Sequence, residues 1–233
     1  MFEDILSDMQ AEETEIHKGL QIDVQQASID KVNTYEAMQN KIEAERKYKQ
    51  YTESGVPEKF WNESFDTYEC DDKQTQLKYN RDVVIEFAKN PKNRVLILCG
   101  NNGTGKTMLS CSVIRECGGE YITSSMLCMK YDSATGYKVD MNREELIKHY
   151  SKVKMLVIDE CCKYFVNEQT EKFLLMQIIC MRYENNKPTV LVTNADKKAF
   201  VNFLGKAVYD RFTEVCTTLE FDWESRRKDK RVI

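Results

Sequence analysis

Residues 100–107 read Gly-Asn-Asn-Gly-Thr-Gly-Lys-Thr, a spacing of glycines, a cation and a hydroxyl that suits the wrapping of a polyphosphate. Gly100, Gly103 and Gly105 let the backbone turn closely enough for successive N–H groups to face phosphate oxygens. Lys106 supplies a charge for the β- and γ-phosphates and the Thr107 hydroxyl a ligand for Mg²⁺, with Asn101, Asn102 and Thr104 completing the loop. A glycine-rich turn can match such a pattern by chance, but the flanks here also fit. Residues 95–99 form an apolar run typical of a buried strand, and Met108, Leu109, Cys111, Val113 and Ile114 continue as a helix. That order puts the phosphates at a helix N-terminus, whose partial positive charge favours them. The motif implies a bound nucleoside triphosphate.

A second candidate site follows. Met155-Leu156-Val157-Ile158 runs into Asp159-Glu160, and an acid at the carboxyl end of such a strand lies beside the phosphate loop if the two strands are neighbours in a parallel sheet. Asp159 is then placed to hold Mg²⁺ through water, and Glu160 to orient an attacking water. Many buried strands end in a solvated acid, so this signal alone is weak; behind a complete phosphate loop it points to hydrolysis over binding alone. Residues 189–194 are another buried-strand pattern. Its terminal Asn194 can hydrogen-bond a γ-phosphate or the lytic water, or can serve as a cap or turn residue. Taken singly, Arg211 and Arg227 read as surface charges.

In ordered series these residues change weight. The chain over roughly residues 53–233 resembles the DnaC-like helicase loaders, a branch of the AAA+ ATPases that includes the DnaI loaders and the IstB transposition helpers. The resemblance rests on Gly55-Val56-Pro57, Phe65-Asp66-Thr67-Tyr68, the phosphate loop, Leu156-Val157-Ile158-Asp159-Glu160, Lys187-Pro188-Thr189 with Thr193-Asn194, Leu204-Gly205, Asp210-Arg211 and Phe221-Asp222-Trp223-Glu224-Ser225-Arg226-Arg227. It implies ATP with Mg²⁺ as cofactors and a DnaB-type hexameric helicase as partner. It also implies weak, assembly-dependent contact with single-stranded DNA and self-association through the ATPase domains. Asn194 would be the sensor-1 residue, Arg211 an arginine finger for a neighbouring subunit's nucleotide, and Arg227 the sensor-2 arginine, with Arg226 one position away as the alternative. The chain departs from the family at Cys161-Cys162, where a small or apolar pair is usual, and Tyr164 and Phe165 are shifted from the family's DNA-contacting aromatic. Residues 126–150, which carry a DNA-facing helical insertion in the family, match loosely.

Composition sets the bounds. A length of 233 residues, 42% hydrophobic and 31% charged, suits one full α/β domain with an appendage. No apolar stretch approaches the roughly 20 residues of a membrane span, and the start Met1-Phe2-Glu3-Asp4 lacks a secretory pattern. Nine cysteines without CxxC spacing and only two histidines, His17 and His149, argue against zinc and against a disulfide scaffold. Cys99 and Cys180 read as small buried hydrophobes and Cys161-Cys162 as structural, which fits a reducing cytoplasm.

Around the chemistry stand the elements that must position it. Residues 1–52 hold no proline and carry Phe2, Ile5, Leu6 and Met9, then Ile29, Val32, Tyr35, Met38 and Ile42, in steps of three and four. Eleven acids against six bases in the first fifty residues give −5, leaving +1 for the remainder of a total of −4. This acidic helical extension either docks into a partner's groove or packs on its own domain. Gly55-Val56-Pro57 breaks it, giving expected regions of 1–52 (partner-binding) and 53–233 (ATPase). Within the second, Tyr121-Ile122-Thr123 reads as a strand, Asn142 with Glu145 as a capping box, 168–186 as a helix and 218–223 as the last strand. Such alternation predicts a mainly parallel sheet with helices on both faces. The resemblance makes this a P-loop AAA+ core without a separate C-terminal lid. The basic run 226–231 reads as a solvated tail or a nucleic-acid contact, and overall acidity argues against strong binding to DNA on its own.

The function these features predict is an ATPase of low basal activity, stimulated on assembly, that delivers a replicative helicase to single-stranded DNA. The alternatives are an IstB-like transposition helper and a non-hydrolysing, ATP-switched adaptor. A small-molecule kinase would need an arginine-rich substrate lid that the sequence lacks.

Overall fold

The computed structural model describes residues 35–70, 75–91, 94–135, 140–162 and 168–227. The expectations for Phe2, Ile5, Leu6, Met9, Ile29, Val32, Tyr164, Phe165 and residues 228–231 fall outside them. The chain divides into two units, Met1–Lys47 and Tyr48–Ile233, so the division falls inside a helix that runs to residue 52 rather than at its end. Helix α1 (35–52), of which residues 35–47 belong to the first unit, carries Tyr35, Met38 and Ile42 at the expected spacing, all solvent-exposed.

The second unit is built from alternating strands and helices. Helix α2 (Thr75–Lys89) leads to β1 (Val95–Gly100), α3 (Lys106–Cys117), β2 (Glu120–Thr123), α4 (Ser124–Ser133) and α5 (Arg143–Lys152). There follow β3 (Leu156–Cys161), α6 (Glu168–Glu184), β4 (Thr189–Thr193), α7 (Lys197–Leu204), α8 (Lys206–Phe212) and β5 (Cys216–Phe221). The five strands are all parallel in the order β2-β3-β4-β1-β5. The last strand starts and ends two residues earlier than its apolar pattern suggested, because Cys216 and Thr217 pair with Val95 and Leu96. Among the described residues no helix follows β5. Two helices, α7 and α8, lie in the series 197–212, separated by Gly205 at φ +89°. The capping box of α5 is present in full, with Glu145 N bonded to Asn142 Oδ1 at 3.0 Å and Asn142 N to Glu145 Oε2 at 2.9 Å.

Period-two alternation sorts the strand residues onto the two faces of the sheet. Ile97, Ile158 and Leu191 pack beneath α4, α5, α6, α7 and α8 in one cluster. Leu96, Leu98, Val157, Val190 and Phe221 pack with α2 and α3 in the other, joined by Tyr51 and Tyr68. Every strand but the edges is buried on both sides, which is why β1, β3 and β4 read as continuous apolar runs. All nine cysteines are free thiols; Cys99 is fully buried as expected, whereas Cys180 is only partly so.

At the opposite end from the phosphate loop, Arg182 of α6 is fully buried. Its guanidinium donates to Tyr150 O at 2.7 Å, Val153 O at 2.8 Å, Pro188 O at 2.5 Å and Thr189 Oγ1 at 2.9 Å. Burial lowers its pKa to about 10, still charged at neutral pH. One planar fork thus ties the start of β4 to the end of α5. Replacing Arg182 by Met strands several buried carbonyls, at about 1–3 kcal/mol each. Urea unfolding of the variant is expected to show a loss of roughly 3 kcal/mol or more, and an unchanged midpoint would contradict this account.

Candidate nucleotide and hydrolysis site

The phosphate loop joins β1 to α3, with α3 starting at Lys106. Its backbone is in the left-handed region at Gly103 (φ +75°) and Gly105 (φ +97°), and neither position has room for a side chain. A Cβ on Gly103 would lie 2.1 Å from Ser225 Oγ, and one on Gly105 2.4 Å from Tyr68 Cε2. Lys106 folds back over the loop. Its ammonium donates to Gly100 O at 2.8 Å and Asn101 O at 2.5 Å, and the residue is 4% exposed.

Two distant segments hold the loop in shape. From upstream, the Tyr68 hydroxyl donates to Thr104 O at 2.9 Å. From downstream, Asn101 N donates to Phe221 O at 2.7 Å, the Asn101 amide to Asp222 O at 2.8 Å, and Arg226 N to Gly103 O at 2.8 Å. Trp223 Nε1 donates to the same Thr104 O at 3.3 Å. The Arg226 guanidinium lies 4.4 Å from the centre of the Tyr68 ring and donates to Glu69 O at 2.5 Å, so the two segments also grip one another. Arg226, though exposed, is thus held against the upstream segment. Arg227 is exposed, and its backbone N–H bonds to Ser225 Oγ at 3.3 Å.

The strands carrying the loop and Asp159 are not neighbours: β4 lies between β1 and β3. The two sites nevertheless meet, because the chain must cross from β1 to β2 at the far edge of the sheet. In doing so α3 passes over β4 and β3. The start of α3 then overlies the end of β3, which brings the Thr107 side chain close to the Asp159 carboxylate. Asn194, half-buried just past β4, sits between the two: Gly100 N donates to Ala195 O at 3.3 Å, and Thr193 Oγ1 to Cys161 O at 2.8 Å.

The end of β3 is irregular. Pairing with β4 shifts register between Ile158 and Cys161, and both Glu160 (φ +60°) and Cys162 (φ +66°) are left-handed, an uncommon state for residues with side chains. Such a bulge re-aims the side chains it contains. The turn is braced from below by a buried glutamate that the sequence did not single out. Glu171 of α6 accepts from Cys162 N at 2.7 Å and from Ser124 Oγ at 2.6 Å. Tyr121 was likewise read only as a strand residue, yet its hydroxyl donates to Asp159 Oδ2 at 2.7 Å. Neither role has a local sequence signal, since each depends on strands or helices brought together from afar.

Asp159 is 2% exposed, and desolvation raises its pKa against the opposing hydrogen bonds from Tyr121, Thr107 and Glu160 N. A buried carboxylate with hydroxyl neighbours suits a hard divalent cation. Among the described residues no group of three acidic, histidine or cysteine side chains could cage a metal alone. That combination fits Mg²⁺, which usually keeps one or two carboxylates plus substrate phosphates and water as ligands. Thr107 and Asp159 are the residues that could hold it. Arg211 is exposed on α8, and among the described residues no hydrogen bond ties it to the loop. A separate cleft of about 630 Å³ is bordered by Lys197, Lys206, Tyr209 and Glu220.

Fold and site together define a P-loop nucleotide-binding ATPase core of the AAA+ type. The chain belongs to the IstB-like ATP binding protein family, which matches residues 20–232. It is 28% identical over 202 residues to the replicative helicase loader DnaC of Escherichia coli (strain K12), covering 82% of this chain and 80% of that one. To the DnaC loader of Buchnera aphidicola subsp. Acyrthosiphon pisum it is 29% identical over 188 residues, covering 75% and 73%. A crystal structure of the DnaC helicase loader has the same fold, with a TM-score of 0.59 at 20% identity over 71% of this chain and all of that one. Among the described residues no helix is long and apolar enough to cross a membrane.

Because burial raises the pKa of Asp159, its ionisation costs stability as pH rises through the folded-state value, and the cost is absent where the group is protonated in both states. Asp159→Asn is therefore expected to raise the melting temperature of the nucleotide-free protein at pH 8. The gain should shrink towards pH 4. A variant that melts lower at pH 8 would show that the carboxylate is stabilising as it stands.

Proposed function

We propose that the chain is an ATP-driven loader that binds a DnaB-type hexameric replicative helicase and delivers it to single-stranded DNA. The observation that carries this reading is similarity to DnaC loaders across about four-fifths of both chains, together with a complete phosphate loop and acid pair. ATP binds along Gly100 to Thr107, with Lys106 leaving its carbonyl partners for the terminal phosphates. Thr107 and Asp159 hold Mg²⁺, which neutralises phosphate charge. Glu160 orients the attacking water, and Asn194 bonds the γ-phosphate or that water. Arg227 acts as sensor 2, supported by the engagement of Arg226 with Tyr68 and Glu69.

Arg211 acts as a finger on the next subunit's nucleotide, a role supported by its exposure on α8. Turnover is then low in the isolated chain and rises when ATPase domains assemble side by side. Residues 1–52 form the helicase-binding region, supported by the exposed stripe Tyr35, Met38 and Ile42. DNA contact is weak and depends on assembly. The protein works in the cytoplasm, where its free thiols persist.

Two measurements test this. Lys106→Ala is expected to abolish tight ATP binding, whereas Glu160→Gln should bind ATP and lose turnover by about 10²-fold or more, the scale of a general-base contribution. Parental turnover in Glu160→Gln would remove Glu160 from the mechanism. For the partner, replacing Ile5, Leu6 and Met9 by Ser in the full chain should weaken helicase binding by several kcal/mol, on the order of 25 cal/mol per Å² of apolar area. If helicase affinity, measured by interferometry, stays unchanged while the protein melts earlier, the stripe packs on the chain itself.

A further inference from the structure

We propose that Tyr121 is a positioning residue of the hydrolysis site, whose hydroxyl fixes the Asp159 carboxylate in the orientation that receives Mg²⁺ alongside ATP. The inference rests on the ATPase reading above and adds to it a residue outside the phosphate loop and the acid pair.

Register explains how a residue on another strand reaches the acid. Tyr121 pairs with Val157, and Thr123 with Asp159. Val157 and Asp159 are two apart and so face the same side of the sheet, the side covered by α3. The Tyr121 side chain lies on that same side, extending diagonally along β3, and it ends 2.7 Å from Asp159 Oδ2. Neither end of this tether is loose. Tyr121 is 6% exposed, its backbone N–H donates to Ser54 O at 2.8 Å, and its carbonyl lies where a Cβ on Gly55 would come within 2.3 Å.

The carboxylate is thereby held at both oxygens. Oδ2 accepts from Tyr121 at 2.7 Å and Oδ1 from Glu160 N at 2.6 Å. Each oxygen accepts through two lone pairs, so one remains on each for water or metal. Rotation of the carboxyl group about its terminal bond would break both contacts at once. Thr107 approaches from the first turn of α3. The cation is thus met by a carboxylate already aimed, which is what outer-shell partners contribute at metal sites. A phenylalanine at 121 preserves the ring and its packing while removing only the donor.

The test compares the full-length protein with Tyr121→Phe by titrating a fluorescent ATP analogue at a series of Mg²⁺ concentrations and in EDTA. Outer-shell substitutions cost about 10–100-fold in metal affinity, so the Mg²⁺ concentration giving half of the metal-dependent gain in affinity should rise at least tenfold. Affinity in EDTA should stay within about twofold of the parent, since no metal is then involved. An unchanged Mg²⁺ dependence overturns the proposal. Equal loss with and without Mg²⁺ also overturns it, by assigning Tyr121 a packing role. If the parent protein itself shows no Mg²⁺-dependent gain, the metal–nucleotide reading of the site fails, an outcome distinct from any difference between parent and variant.

Discussion

The nucleotide end of this chain is organised by a backbone that has to curl with its amides inward before any phosphate is there to hold it. A loop of glycines does not keep that shape unaided, because the conformational freedom that permits it also opposes it. The shape comes from outside the loop. Tyr68 and Trp223 converge on the single carbonyl of Thr104, and Phe221, Asp222 and Arg226 bond to Asn101 and Gly103. Lys106 occupies the inner carbonyls with a charge that can transfer to phosphate. The site is thus pre-formed, and the ordering cost is met in folding rather than in binding.

The same packing links the nucleotide to both flanks of the domain. Segment 65–70 precedes α2 and segment 221–227 follows β5, yet the ring of Tyr68 and the guanidinium of Arg226 stack directly beside the loop. On the other side, the left-handed turn after β3 is bonded through Glu171 to the starts of α4 and α6. The end of β3 is therefore in direct contact with two helices outside the nucleotide-binding motifs.

Electrostatics decides what the pair of acids can do. Burial makes Asp159 costly to ionise, against the help of its hydrogen-bond donors, while Glu160 is only half-buried at the rim of the bulge. Adjacent residues in one strand would normally face opposite sides of the sheet. The register shift breaks that alternation at Asp159 and Glu160, so the two acids are not placed by the simple pleat of the strand.

Much was legible in the chain itself. The phosphate loop, the buried strands and the capping box of α5 are local: glycine spacing, apolar runs and an Asn followed three residues on by Glu carry their own physics. Period and alternation were enough for a parallel α/β sheet. Strand order was not, because apolar runs do not say which runs are neighbours, and β4 stands between the strands that carry the loop and Asp159. Nor could sequence separate Arg226, committed to Tyr68, from exposed Arg227, or assign a role to Tyr121, Glu171 and Arg182. Those residues look ordinary where they stand in the chain. Their partners are carboxylates, amides and carbonyls brought near only by the crossover of α3 and the stacking of helices on the sheet. Short-range patterning thus determined the chemistry this protein carries, and long-range packing alone decided which side chains aim it.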